Sequence, residues 1–186
     1  GDPKINNEIA DFLIPFIKAG NLDSKLVIGD TYSHGRFDES STEGPFVSDL
    51  ALLIGRCTTN LKFPFYRLDT EIKESELKDN LILIGNTKTN ILIDKINNSL
   101  PVYFDEKKDY RIISKNSGNV YTDPRIGIII KTTSPFSKNK KIMVIGGVGT
   151  RGMRAAILAC TQYFSTAFPK IDQKDDIVRI VKGFDR

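Results

Sequence analysis

The 186-residue chain is 40% hydrophobic and 27% charged, a balance that supports one sizeable core and excludes extended disorder. Twenty-seven basic residues against 23 acidic ones leave a formal charge of +4, and the interspersed signs in "DEKKDYR" and "DQKDD" argue against nucleic-acid binding. No apolar stretch reaches the ~18 to 20 residues that cross a bilayer, and the first residues lack the sections of a signal peptide.

In chain order, "INNEIADFLIPFIKAG" predicts an amphipathic helix from Ile5, Ile9, Phe12, Leu13, Phe16 and Ile17, bent at Pro15. "KLVIG" at 25–29 is an apolar run closed by glycine and reads as a strand. The loop that follows, "DTYSHGRFDESSTEG", holds the only histidine, His34. Its acidic residues Asp30, Asp38, Glu39 and Glu43 match no EF-hand spacing and read as a solvated loop. With no nucleophile, base and orienter in recognisable array, His34 is expected to be an exposed loop residue without a catalytic role.

Pro45 then opens a helix whose stripe is Phe46, Val47, Leu50, Ala51, Leu53, Ile54 and Cys57. A strand is expected at 63–69, another at 80–85 ("NLILIG"), and a shorter helix in "TNILIDKINNSLP" ended by Pro101. Residues 105–124 read as a polar, turn-rich excursion. Strands at 125–131 and 141–146 ("KIMVIG") flank the basic "SKNKK" at 137–141, which reads as a polar turn. Met153, Ala156, Ile157, Cys160, Tyr163, Phe164 and Ala167 mark a helix that stops before Pro169, and 176–184 closes the chain as a strand.

Uninterrupted Val/Ile/Leu runs suit strands covered on both faces. The expectation is a three-layer α/β fold, Rossmann-like, with a largely parallel or mixed central sheet and helices on both faces. The runs at 25–29, 80–85, 126–131 and 141–146 are assigned to its parallel core. Residues 1–186 read as a single domain cut from a longer protein, with membrane attachment only through segments outside it.

The stretch "VIGGVGTRGMRAA", 144–156, places Gly147, Gly149 and Gly152 between a strand and a helix, where backbone amides and the helix dipole can receive a phosphate. Thr150 and Arg151 would add a hydroxyl and a charge. The acidic residue that follows a dinucleotide loop by ~20 positions at the end of the next strand is out of place: Asp172, Asp175 and Asp176 come before the strand and Asp185 comes too late. A tight structural connection is therefore preferred to a ligand loop. Cys57 and Cys160 lack metal-ligand spacing and read as buried free thiols. Asn97-Asn98-Ser99 is a glycosylation sequon, relevant at Asn97 if the chain is exported.

"ELKDNLILIGNTKTN", the "GIII" strand, "KIMVIGGVGTRGMRAAILA" and the closing "IVRIVKGFD" resemble the archaeal S-layer protein domain and the related S-layer-like domains of archaeal surface proteins. Asn90 and the segment Thr150 to Ala156 occupy the matching positions. "KLVIG" with "SDLALLIG" is similar to the family's first strand and helix. Asn86-Thr87 stands where the family pattern has Gly-Pro, and the loop from Gly35 to Gly44 has no counterpart. The resemblance spans roughly residues 25–185.

The resemblance implies a non-catalytic structural module of a cell-surface or envelope-associated protein, acting through a protein partner or self-association. No cofactor, metal or nucleic acid is expected. An extracellular or envelope location follows from the resemblance, a cytoplasmic one being the alternative. The alternative function is a nucleotide- or phosphate-ligand domain using the loop at 146–152.

Overall fold

The apolar runs nucleate the centre of a six-stranded sheet in the computed structural model, which describes residues 3–107, 109–169 and 176–184. Asp172, Asp175 and Asp185 lie outside the described residues.

Helix α1 (Pro3–Phe12) buries Ile9 and Phe12 and stops short of Pro15. Phe16 and Ile17, expected on the same helical stripe, instead lead into β1 (Ile17–Lys18), which pairs with β2 (Asn21–Leu22). The first run forms β3 (Ser24–Ile28), followed by α2 (Gly44–Arg56) with Pro45 in its first turn. Next come β4 (Tyr66–Leu68), a 3-10 turn at Glu74–Lys78, β5 (Asn80–Ile84) and the short α3 (Ile91–Ile96). Strands β6 (Val102–Asp105), β7 (Arg111–Ser114) and β8 (Val120–Tyr121) precede the two longest strands, β9 (Ile126–Ser134) and β10 (Ser137–Gly147). Helices α4 (Thr150–Cys160) and α5 (Phe164–Ala167) and strand β11 (Ile177–Lys182) complete the described chain.

The main sheet has the order β11-β9-β10-β5-β3-β4. Strands β10, β5, β3 and β4 run parallel to one another, whereas β9 is antiparallel to both β10 and β11. This corrects the assignment of 126–131 to a parallel core. Only Pro135 and Phe136 separate β9 from β10, and so short a link makes a hairpin, since a parallel pair needs a crossover of a dozen residues or more. The segment 137–141 is part of β10 itself, with a register shift between Ser137 and Lys141.

The Rossmann-like three-layer arrangement, with helices alone covering both faces, is also corrected, because a second antiparallel sheet shares one face with a short helix. One face carries α1, α2, α4 and α5, packed on Leu26, Ile82, Ile84, Ile129, Met143 and Ile145. The other, built on Val27, Leu81, Leu83, Ile128, Ile130 and Val144, carries the six-residue α3 together with β6. Strand β6 belongs to a second, antiparallel sheet of order β6-β7-β8. The excursion at 105–124 is thus half of a covering layer, and Phe104 and Ile112 seal it onto the sheet.

Lys131 on β9 is buried, and its ammonium donates to the Phe12 carbonyl at the end of α1 over 3.0 Å. Burial, reinforced by the nearby Lys141, brings its pKa down to about 8.

Candidate functional site: a closed sheet end and an open basic groove

The helix after β3 covers one face and the helix after β5 covers the other, so the chain divides between these adjacent parallel strands. In open α/β sheets, ligands gather at such a point, beyond the carboxyl ends of the strands. Here, residues from three strand ends fill that position.

Asp69, at the end of β4, is buried. Its Oδ1 accepts the Asp30 amide at 2.9 Å, and its Oδ2 accepts the Ile91 amide at 2.7 Å. The same Oδ2 lies 2.8 Å from His34 Nε2, while His34 Nδ1 lies 2.7 Å from the Tyr32 carbonyl. Both imidazole nitrogens thus face oxygen acceptors, an arrangement that favours the protonated ring, which can donate to both. Burial by itself would lower the His34 pKa, but the Tyr32 carbonyl and the Asp69 carboxylate outweigh it and the net shift is upward. The histidine expected to be exposed has a side chain only 10% accessible. When protonated, it has no lone pair to act as a base.

Asn90, the N-cap residue of α3, supports the same point from the loop after β5. Its side-chain oxygen accepts the Leu92 and Ile93 amides, capping α3, and its Nδ2 donates to the carbonyls of Val27 and Ile84. One side chain therefore ties β3, β5 and α3 together. Beside it, Thr89 donates to Glu43 Oε1 at 2.8 Å, and Ser41 donates to the other carboxylate oxygen of Glu43. Burial raises the Glu43 pKa, against the pull of these two hydroxyls. Backbone closeness completes the closure: a Cβ at Gly29 would lie 1.9 Å from the Thr89 carbonyl oxygen.

The four acidic residues of the 30–43 loop do not converge on one cation. Asp30 accepts from the Tyr32 amide and the Thr70 hydroxyl, Glu39 lies 3.7 Å from Lys88, and Glu43 is bound as above. Among the described residues, no group of three or more His, Cys, Asp or Glu side chains is arranged to hold a metal ion.

The glycine loop sits at the end of β10. A Cβ at Gly152 would fall 2.0 Å from the Ile126 carbonyl oxygen, and one at Gly147 2.3 Å from the Met153 nitrogen. These two glycines let α4 lie directly on β9 and β10. Gly149 caps the helix in extended conformation, φ −143°, where a Cβ would lie at ordinary contact distance, 3.7 Å, from the Pro124 carbonyl oxygen. The Gly152 amide, one of the donors a phosphate would use, donates to the Pro124 carbonyl at 3.0 Å.

Thr150 and Arg151 face away from this packing, into a groove of about 940 Å³ between α4 and β11. Arg125, Arg154, Arg179 and Lys182 also line it, and no described carboxylate does. Asp123, outside the lining, binds Arg125 at 2.6 Å and Lys182 at 2.9 Å. The paired Arg125 and Lys182 hold its carboxyl far below the usual range. Arg154 stacks over Phe46 and Arg179 over Phe168. Tyr163 and Phe184 meet edge to face at the rim, and Phe184 is 82% exposed.

Of the remaining expected residues, Asn97 is buried, with its amide nitrogen donating to the Phe104 carbonyl at 2.8 Å and its oxygen accepting the Phe104 amide at 2.9 Å. A glycan on that nitrogen would displace both bonds. Cys160 is buried, whereas Cys57, at the end of α2, is only half-buried; burial raises both thiol pKa values. Sequence reasoning missed Asp69, the partner of His34, and the gathering of cations in the groove. The signals were an aspartate directly after the "YRL" strand and two arginines three apart on one helix face.

Comparison with known proteins gives no matching family model and no matching curated protein.

Proposed function

We propose that the chain is a non-catalytic module of an S-layer-like, cell-surface or envelope-associated protein, working through protein contacts. One observation carries the reading: the sheet end where an open α/β fold ordinarily binds its ligand is closed by side chains that satisfy one another. His34, Asp69, Glu43 and Asn90 all have partners within the chain, and both ring nitrogens of the histidine are engaged there. The resemblance of the strand ends and of the 150–156 segment to S-layer-like domains supports the location.

A phosphate ligand at Thr150 and Arg151 is the second reading, favoured by their place in the basic groove. It is opposed by the occupied Gly152 amide. Calorimetric titration with NAD, ATP and inorganic phosphate separates the two. The module reading expects no saturable heat; micromolar, stoichiometric binding abolished by Arg151→Ala would overturn it. Labelling of intact cells with a membrane-impermeant reagent tests the location: the chain should be labelled, and full protection until lysis would place it inside.

A further inference from the structure

We propose that the groove between α4 and β11 receives an extended acidic segment of a partner protein, which adds along the outer edge of β11 and sets its carboxylates against Arg151, Arg154 and Arg179. This rests on the protein-contact reading above and specifies the surface and the chemistry of the partner.

Strand β11 is the last in the sheet order, paired with β9 from Ile177 opposite Lys131 to Lys182 opposite Ile126. Its other edge pairs with no strand among the described residues. An edge strand presents backbone donors and acceptors that an incoming extended peptide can use, as in recognition by strand addition. Its six residues offer about 20 Å of such edge.

The charges select the peptide. Arg151, Arg154 and Arg179 form no ion pair among the described residues. Arg151 and Arg154 are exposed three positions apart, on one face of α4. Val181, on β11, packs against the cluster that includes α4, so the side chain of Arg179, two residues before it, is on that same face of the strand. A strand laid on β11 would therefore direct every second side chain toward these three guanidinium groups. Cations gathered without counter-charges repel one another and favour an anionic partner. Exposed apolar surface at Tyr163 and Phe184 suits interleaved aliphatic side chains. Backbone pairing distinguishes this partner from a nucleic acid, whose phosphates have no donors for the carbonyls of the strand edge.

The test titrates the whole chain with a short peptide alternating Glu and Val, and with its Lys/Val counterpart. Inorganic phosphate, ATP and a single-stranded oligonucleotide are run in parallel. Hydrogen exchange is followed at the β11 amides. The acidic peptide should bind one to one, more weakly as salt rises, and slow exchange at the outward amides of β11. The combined Arg151→Glu, Arg154→Glu variant should lose roughly tenfold or more in affinity and gain binding of the Lys/Val peptide. Arg151→Gln with Arg154→Gln gives the same loss without new repulsion. Equal binding of both peptides, or binding unchanged in both variants, overturns the proposal, and so does preferential binding of the oligonucleotide. If the peptide is inert and the chain associates with itself as concentration rises, the groove proposal falls while the protein-contact reading stands. Saturable ATP or phosphate binding that Arg151→Gln removes overturns both.

Discussion

His34 and Asp69, 35 positions apart in sequence, share a 2.8 Å hydrogen bond that draws the long loop after β3 onto the end of β4. The bond is structural, because the other histidine nitrogen is also committed to a carbonyl. His34→Ala should lower unfolding free energy by about 1–3 kcal/mol, the cost of losing a charge-assisted, largely buried hydrogen bond. Binding at the α4–β11 groove should be unchanged. Denaturant titration measures the first effect; loss of groove binding in the same variant would show that the loop serves the groove.

The pH dependence follows from two shifts of opposite sign. The folded pKa of His34 is raised above its ordinary 6.5, so its contribution is complete below pH 6.5 and is lost as pH rises through the folded value. Lys131 is lowered from 10.5 to about 8. Its contribution is complete above 10.5 and is lost as pH falls through about 8, so this residue makes stability climb from about pH 8 upward. Urea midpoints measured across this range should lose the first component in His34→Gln and the second in Lys131→Gln.

Two glycines of one loop should respond in opposite ways. Gly152→Ala forces a methyl to within 2.0 Å of a backbone carbonyl, an overpacking without a flexible neighbour to yield, and should cost about 3 kcal/mol or more. Gly149→Ala places its methyl at an unstrained 3.7 Å from the Pro124 carbonyl oxygen, at φ −143°, and should stay within about 0.5 kcal/mol of the parent. Thermal unfolding of the two variants checks the contrast, and equal losses would show that the loop is held by something other than close packing.

At Asn97, replacement by Ala removes both bonds to Phe104 and should cost about 2 kcal/mol, near 1 for each bond. Asn98→Ala leaves those bonds in place and should be close to neutral. Intact-mass analysis of chain purified from its native cells should show Asn97 bare. A glycan found there on folded protein would mean that the β6 end opens before or during modification.

Strand positions were legible because an apolar run such as "NLILI" is buried wherever it runs. Strand direction was not, since Ile128 and Ile130 bury equally well either way. What decides β9 is the link Pro135-Phe136, whose shortness outweighs the resemblance of "RIGIIIK" to the other runs. Strands β6 to β8 escaped notice because Asp105, Arg111 and Asn119 break up their apolar residues, although Phe104 and Ile112 alternate correctly for one covered face. The candidate sites were harder to see for a different reason. Asp69 gains meaning only beside His34, and Arg179 only beside α4, and such neighbours are set by the order of strands. Arg151 and Arg154 were visible as a pair, but the sequence does not show that β11 lies alongside them.

The central place of β10 has a consequence for synthesis. Strand β5, buried at all five positions, pairs with β3 on one side and with residues 142–145 of β10 on the other. A ribosome delivers β5 first, and its second partner follows only after the whole of the β6–β8 layer and β9 have emerged. During that interval, a strand that ends up fully buried has one unpaired edge. The hairpin of β9 and β10 can form locally within one short stretch of chain and then dock as a unit, which limits the exposure to a single late step. Slowed elongation between Ile84 and Ser137 would lengthen that exposure, so the rate at which these residues are translated should govern the yield of soluble chain.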